Sequence, residues 1–373
     1  MMLVVNAGSS SIKLVVFDAM LRPVLSGSVT EIAGDARIRI GKTGQSCAAP
    51  DHKTALELAF AAMAEEGVAV ASLTAAAHRV VHGGATLTSA CRVTEATMAE
   101  IEACVPLAPL HNPANLMAMR ALAALAPDLP QYASFDTAFH ATNPEVAVTY
   151  ALPLAERQRG LRRYGFHGIS YAGMVETLRA AGRLPGRLLA LHLGNGASLC
   201  AIRDGQSVAT TMGYSPLDGV TMGTRTGTID GNAVLRLAEV HGIAGASRIL
   251  NRESGLLALG GHSDMRRLHA EGTVEAHFAI DHFCYWLVRH AGSMIAAMGG
   301  LDAIAFTGGI GENDAQVRAA LLDGLDWAGV TWGRAATGPA LHKDGARVAV
   351  WIVPAEEERR IAQEAVGLRA SGL

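Results

Sequence analysis

The chain has 373 residues, half of them hydrophobic and 17% charged, with a formal net charge of −3. That length exceeds one ordinary core and predicts two domains. The near-neutral balance and the lack of a basic stripe argue against nucleic acid as a partner. No uninterrupted apolar run of about twenty residues offers a membrane span, and no basic-then-apolar leader precedes the first strand. Five cysteines without a C-x-x-C pair predict reduced thiols in a cytoplasmic protein, not a zinc or iron–sulfur centre.

In chain order, apolar strands over residues 3–5 and 12–17 flank the turn Asn6-Ala7-Gly8-Ser9-Ser10-Ser11. Such a hairpin brings backbone N–H groups and hydroxyls close to an anion. Short strands are expected over 24–40, a helix over 54–67, and a buried strand over 75–81 that ends at Gly83-Gly84. Helices follow over 94–104 and 113–126, the second with proline in its first turn, then a strand over 131–135 that stops on Asp136. The segment 143–163 reads as the crossing between domains. Residues 188–204 then repeat the opening pattern, strand, Gly194-Asn195-Gly196-Ala197-Ser198 turn, strand. Helices over 231–241 and 274–298, strands over 303–307 and 348–353, and a last helix over 356–369 complete the chain. The last helix is placed to pack back on the first domain. The expected domains are 1–142 with 359–373, and 143–358. The repeat predicts a duplicated α/β fold with two phosphate-gripping hairpins facing one cleft.

Several segments place polar residues directly after apolar strands, where open α/β sheets hold ligands. In residues 78–84, His78 and His82 are spaced i, i+4 but lack the glutamate of a zinc helix, and Val80-Val81 favours strand-to-loop over helix. Arg79, beside Gly83-Gly84, can fork two hydrogen bonds to a carboxylate or phosphate, or serve a packing ion pair. Asp136 is a candidate base, a holder of magnesium-bound water, or a turn cap. His167, in Arg162-Arg163-Tyr164-Gly165-Phe166-His167-Gly168, is a candidate donor to a transferring phosphoryl group, or a structural histidine. Residues 222–228 present Arg225 on a glycine-spaced loop, and residues 307–313 form a glycine-rich turn against which an adenosine can lie. Two motifs are decoys: Gly41-Lys42-Thr43 lacks the earlier P-loop glycine, since position 36 is Ala36, and Gly309-x-Gly311 lacks the third glycine of a dinucleotide fingerprint, position 314 being Asp314.

Together with residues 6–11, 110–113 and 192–198, these segments resemble the acetate kinase family, in that family's order and from residue 3 to about residue 365. The resemblance implies the acetate and sugar kinase/Hsp70/actin fold (ribonuclease H-like), with two similar α/β domains and the nucleotide between them. It implies ATP + acetate ⇌ ADP + acetyl phosphate with Mg²⁺ (or Mn²⁺), in a homodimer. By resemblance, Arg79 and Arg225 flank the transferring group, His167 donates to it, and Asp136 and Asn6 hold acceptor and magnesium. Glu357 supplies an acidic group to the metal, with Glu356 and Glu358 as one-residue alternatives. His192, Gly194, Asn195 and Gly196 correspond to the phosphate hairpin, and Lys13, Asp264, Arg266, Gly309, Ile310 and Asn313 to further nucleotide contacts. Arg79, Val81, Leu110 and Pro216 correspond to the acetate pocket. The chain departs from the family pattern at Thr226-Gly227-Thr228-Ile229-Asp230-Gly231 for Ser-Gly-Asp-Ile-Asp-Pro, at Ile169-Ser170-Tyr171 for Thr-Ser-His, and at Pro354-Ala355-Glu356-Glu357-Glu358 for Pro-Thr-Asn-Glu-Glu. Kinases of propionate or another short acid, and a non-catalytic nucleotide switch of the same fold, are the alternative readings.

Overall fold

The computed structural model describes residues 1–334 and 338–372; residue 373, the end of the expected first-domain tail, lies outside them. The chain divides into two compact units, Met1–Phe139 with Glu356–Leu373, and His140–Ala355. Glu357 therefore belongs to the first unit, not to the span 143–358 expected from the sequence.

The first unit contains β1 (Met2–Ala7), β2 (Ser11–Phe17), β3 (Pro23–Thr30), β4 (Arg37–Ile40), β5 (Thr43–Ser46), α1 (His52–Glu65), β6 (Ala75–Val80), β7 (Cys91–Arg92), α2 (Glu95–Ala103), α3 (Asn112–Leu125) and β8 (Gln131–Phe135). Its sheet runs β5-β4-β3-β2-β1-β6-β8-β7. The central strand β1 is buried on both faces, which is why Leu3 to Val5 read as a continuous apolar run. One strand out, β2 turns Lys13 to solvent between buried Ile12 and Leu14. Helix α1 is capped by Asp51, whose carboxylate accepts the Thr54 N–H at 2.7 Å. It buries Leu56, Phe60 and Met63 in one core with Leu3, Val5, Ile12, Leu14, Ile38 and Ile40. Gly41, at φ +57°, turns β4 into β5, so Gly41-Lys42-Thr43 belongs to a plain hairpin.

The second unit contains α4 (Glu145–Val148), α5 (Leu154–Gln158), α6 (Gly168–Ala180), β9 (Arg187–Leu193), β10 (Ala197–Arg203), β11 (Gln206–Thr210), α7 (Gly231–Arg252), α8 (Gly255–Gly260), α9 (Met265–Glu271), α10 (Val274–Met298), β12 (Ala303–Thr307), α11 (Gly308–Asn313), α12 (Ala315–Asp323) and β13 (Ala349–Ile352). Its sheet runs β11-β10-β9-β12-β13. That is the order β3-β2-β1-β6-β8 of the first unit, with the same antiparallel hairpin followed by parallel strands. The repeated hairpin is thus the visible edge of a repeated sheet. Helix α7 breaks at Gly242 (φ +70°, ψ 167°), where the expected helix over 231–241 stops, and then resumes. The last helix, α13 (Glu357–Ala370), belongs to the first unit and runs against β1, β6 and β8. Among the described residues no helix is long and apolar enough to cross a membrane.

Three histidines sit inside the two units and are kept neutral by burial. Desolvation lowers the imidazoles of His78, His82 and His140 to about 4. His78 meets the Gln131 carboxamide at 2.7 Å, His82 Nδ1 accepts the Gly84 N–H at 2.9 Å, and His140 bridges Ser207 and the Phe166 carbonyl at 2.8 and 2.9 Å. In the unfolded chain such groups titrate near 6.5. Between those values the unfolded state binds more protons, so stability is complete above about pH 6.5 and drains as the pH falls towards 4. Denaturant unfolding is therefore expected to give a level unfolding free energy from about pH 8 to 7 and a clearly lower one at about pH 5. Equal values at the two lower pH points would contradict neutral burial.

Candidate active site

In the first unit, β1, β6 and β8 are parallel, so their carboxyl ends lie side by side. Val5 is level with His78, which places Asn6 at the height of Arg79. Arg79 donates from Nε and Nη2 to both oxygens of Asp136 at 2.7–3.2 Å, and its Nη1 lies 3.6 Å from Glu357 at the start of α13. Burial disfavours the guanidinium charge, but Asp136 and then Glu357 more than offset it, and the Arg79 pKa is raised. Asp136 is buried, and its own N–H bonds to the Val80 carbonyl at 3.0 Å. Lys13 is exposed on β2, directly across from Asn6. The structure thus gathers Asn6, Lys13, Arg79, Asp136 and Glu357 at one end of one sheet.

The loop after Arg79 is held by two asparagines to which the sequence assigns no role. Asn112, fully buried, accepts the His82 N–H and donates to the carbonyls of His82 and Ile101 at 3.0–3.3 Å. Asn115 accepts the Val81 N–H at 3.2 Å and donates to the Ala7 carbonyl at 2.7 Å, tying this loop to the end of β1. Gly83 is obligatory here, because a Cβ would lie 2.4 Å from the Leu87 carbonyl oxygen. Val81 is half-buried in this loop, and Leu110 is exposed just before α3.

In the second unit the β9–β10 turn, Gly194-Asn195-Gly196, borders a cavity of about 850 Å³. Gly194, Asn195, Asp264, Arg266, Gly309, Ile310 and Asn313 all line it. Asp264 caps α9 by accepting the Arg266 N–H and grips the Arg266 guanidinium at 2.7 and 3.0 Å. Those side-chain and backbone hydrogen bonds lower its pKa to about 2. Asn313 donates to the Gly309 carbonyl at 2.9 Å. Glu312 accepts the N–H groups of Gly308 and Ala355 at 3.0 and 2.9 Å and is thereby committed to structure.

Gly196, the last residue of the turn, meets the other candidate groups. A methyl placed on it would lie 3.3 Å from Nε2 of His167 and 3.6 Å from Nη1 of Arg225. His167 precedes α6 in the left-handed region, φ +59°, a conformation that costs a non-glycine residue about 1–3 kcal/mol and clusters at functional sites. Its ring stacks on His192 with centroids 4.1 Å apart. Each imidazole has its Nδ1 on a serine hydroxyl at 2.9 Å, Ser198 for His167 and Ser170 for His192. Arg225 donates from Nη1 to the Pro216 carbonyl at 3.0 Å. Pro216 therefore touches Arg225 within the second unit, whereas Val81 and Leu110 belong to the first.

The altered loop around Arg225 is anchored despite its departures. Thr228 donates its hydroxyl to Asp218 at 2.7 Å, and Asp218 pairs with Arg163 at 2.8 Å. The Thr226 and Thr228 N–H groups bond to the carbonyls of Leu250 and Gly219 at 3.1 and 2.8 Å. Gly227, at φ +75°, allows the approach, since a Cβ would sit 2.6 Å from the Val220 carbonyl oxygen. Asp230 caps α7 through the Asn232 N–H at 2.8 Å, so a helix starts at Gly231 without proline. Arg163 also lies over the Tyr150 ring at 4.8 Å and is a structural cation.

The asparagine clamp yields a direct expectation. Asn115→Leu, similar in size, leaves the Val81 N–H and the Ala7 carbonyl without these partners and should cost about 1–3 kcal/mol in denaturant unfolding. Turnover should fall as well, because Arg79 sits two residues before Val81; wild-type stability would show that the clamp is idle.

The sequence profile of the acetokinase family matches residues 1–363. The acetate kinase of Streptomyces coelicolor is 41% identical over 392 residues, covering 98% of this chain and 96% of that protein. That of Leifsonia xyli is 42% identical over 396 residues, covering 99% of each. Among solved structures, the acetate kinase of Porphyromonas gingivalis superposes with a TM-score of 0.91 at 32% identity, over 99% of both chains. A propionate kinase from Francisella tularensis superposes with a TM-score of 0.92 at 32% identity, over 97% of this chain and 98% of that one. The two-unit architecture is therefore that of the acetate and sugar kinase/Hsp70/actin fold. The chain belongs to the acetokinase family.

Proposed function

We propose that this protein is an acetate kinase, transferring the γ-phosphoryl group of ATP reversibly and in line to acetate to give acetyl phosphate and ADP. The observation that carries the reading is the turn at 194–196: its first two residues line a nucleoside-sized cavity, and its last faces His167 and Arg225. Adenosine is assigned to the cavity beside Asp264, Arg266, Gly309, Ile310 and Asn313, with the phosphates on the turn near His192. Relatives with the name acetate kinase match over nearly the whole chain.

A carboxylate acceptor is already ionised, so the reaction needs positioning and charge neutralisation more than proton transfer. Arg225 and His167 are assigned to the developing charge on the phosphoryl oxygens, and Arg79, a bidentate donor held by Asp136, to the acceptor or the transferring group. Asp136 and Glu357 both converge on Arg79. A set of one or two carboxylates suits Mg²⁺, which otherwise keeps water and phosphate oxygens. Asp136, Glu357 and Asn6 would hold it, with Mn²⁺ as the alternative ion, and it would neutralise phosphate charge. Lys13, across from Asn6, is assigned to the nucleotide phosphates.

Val81, Leu110 and Pro216 are assigned to the methyl of acetate. One methylene is worth only about 1–3 kcal/mol in such a pocket, and the Francisella tularensis relative is a propionate kinase, so propionate is expected as a second, poorer substrate. A homodimer in the cytoplasm completes the reading. Exposed Leu235, Val240 and Ile243 on α7, with Val274, Phe278 and Tyr285 on α10, supply apolar surface of the kind that association covers.

Trapping acyl phosphate with hydroxylamine, in the presence of ATP and Mg²⁺, compares acetate, propionate and butyrate directly. Acetate is expected to give the highest kcat/KM; no product with any acid, despite ATP binding, would overturn the reading. Arg79→Ala and Arg225→Ala should each lower kcat by about three decades or more, as for arginine fingers, while ATP binding measured by calorimetry is retained. Full turnover in both variants would remove these residues from the mechanism.

A further inference from the structure

Helix α6 begins immediately after His167, and its first turn carries Ser170 and Tyr171 back beside the stacked imidazoles. Tyr171 and Ser198 are both fully buried. Their hydroxyls are 2.6 Å apart, and Ser198 Oγ lies 2.9 Å from Nδ1 of His167. The family pattern has histidine where this chain has Tyr171, so the phenol departs from that pattern. A buried tyrosine hydroxyl requires a partner, and the side chain hydrogen-bonded to both it and His167 is a serine with a single proton to give.

We propose that Tyr171 is a positioning residue that, through Ser198, fixes His167 as the tautomer protonated on Nε2; its catalytic meaning rests on the kinase reading given before. The direction of the chain follows from its first member. A phenol is a stronger acid than an alkyl hydroxyl and hence the better donor, so across the 2.6 Å contact Tyr171 directs its proton to Ser198 Oγ. Ser198 in turn directs its proton to Nδ1 of His167, which leaves the ring proton on Nε2. Burial pushes the Tyr171 phenol well above its ordinary range, so its proton stays in place at working pH.

The consequence lies at Gly196, where Nε2 of His167 and Nη1 of Arg225 both approach. Arginine has only donors, and the relay makes Nε2 a donor too. A cationic guanidinium beside an Nε2–H favours an anionic oxygen there, and a neutral imidazole meets it ready to donate, with no proton to acquire first. The opposite tautomer would point a lone pair at the same oxygen. His192 carries the parallel device, with Ser170 on its Nδ1.

The tautomer can be read without any turnover. Long-range proton–nitrogen NMR of the protein with ¹⁵N-labelled histidine, His167 assigned by its loss in His167→Asn, should show the proton on Nε2 in the wild type. In Tyr171→Phe, which removes only the hydroxyl, His167 should become a mixture of tautomers. In the same variant kcat should fall ~10- to 100-fold, with KM for ATP and acetate within about threefold. Ser198→Ala should act alike, and the double variant should be no slower than Ser198→Ala alone, because both residues act through one chain. A wild-type His167 protonated on Nδ1, an unmoved nitrogen pattern in Tyr171→Phe, or an unmoved kcat each overturns the assignment. A wild-type enzyme that makes no acyl phosphate would instead sink the kinase reading, while the nitrogen spectra would still decide the relay.

Discussion

Parallel pairing of the strands on which the candidate residues sit is the constraint on which everything else depends. Parallel strands end at the same edge of a sheet, and in both units the polar residues follow directly on those ends. In the first unit β1, β6 and β8 deliver Asn6, Arg79 and Asp136; in the second, β9 and β12 deliver the 194–196 turn and the 308–313 helix. The strands themselves are almost wholly apolar and buried. Hydrophobic burial therefore fixes where the chemistry lies, since a buried side chain is worth about 1.5–3 kcal/mol and a slipped register would forfeit many at once. Duplication of the sheet supplies this arrangement twice.

Around those ends, orientation is governed by hydrogen bonds between residues distant in sequence. Arg79 is a donor throughout and is held by Asp136, with Glu357 beside it. Asn112 and Asn115 fix the following loop through backbone groups rather than through charge. His167 and His192 each spend Nδ1 on a serine, which leaves the Nε2 edge of His167 at Gly196. Each device places a charge or a proton before a substrate arrives, and that is the electrostatic preorganisation on which phosphoryl transfer relies.

The departures from the family pattern become intelligible at the level of local bonds. Thr228 stands where the pattern has aspartate, yet its hydroxyl satisfies Asp218, which pairs with Arg163. Gly231 stands where the pattern has proline, yet Asp230 caps the helix. Tyr171, in place of histidine, sets its hydroxyl 2.6 Å from that of Ser198. In each case a hydrogen bond holds the altered segment in place.

From the sequence alone one can read what depends on local pattern. The hydrophobic runs located β1, β2, β6, β8, β9, β10, β12 and β13, and their punctuation by glycine, serine and polar residues located the two turns. The helix as far as His241 was legible, whereas its resumption beyond Gly242 to Arg252 was not. Helix α6 escaped because Gly165, His167 and Gly168 read as a loop, while His167 in fact occupies a left-handed cap. The roles of Asn112, Asn115, Ser170 and Ser198 also escaped, since each acts on a residue that only folding brings near it, from 22 to 108 positions away. The position of Glu357 beside Arg79, in the first unit, was likewise set by α13 returning to that sheet. Residue types and their order are properties of the chain, whereas partners distant in sequence and the direction of a hydrogen-bond chain exist only once tertiary packing has removed water from between them.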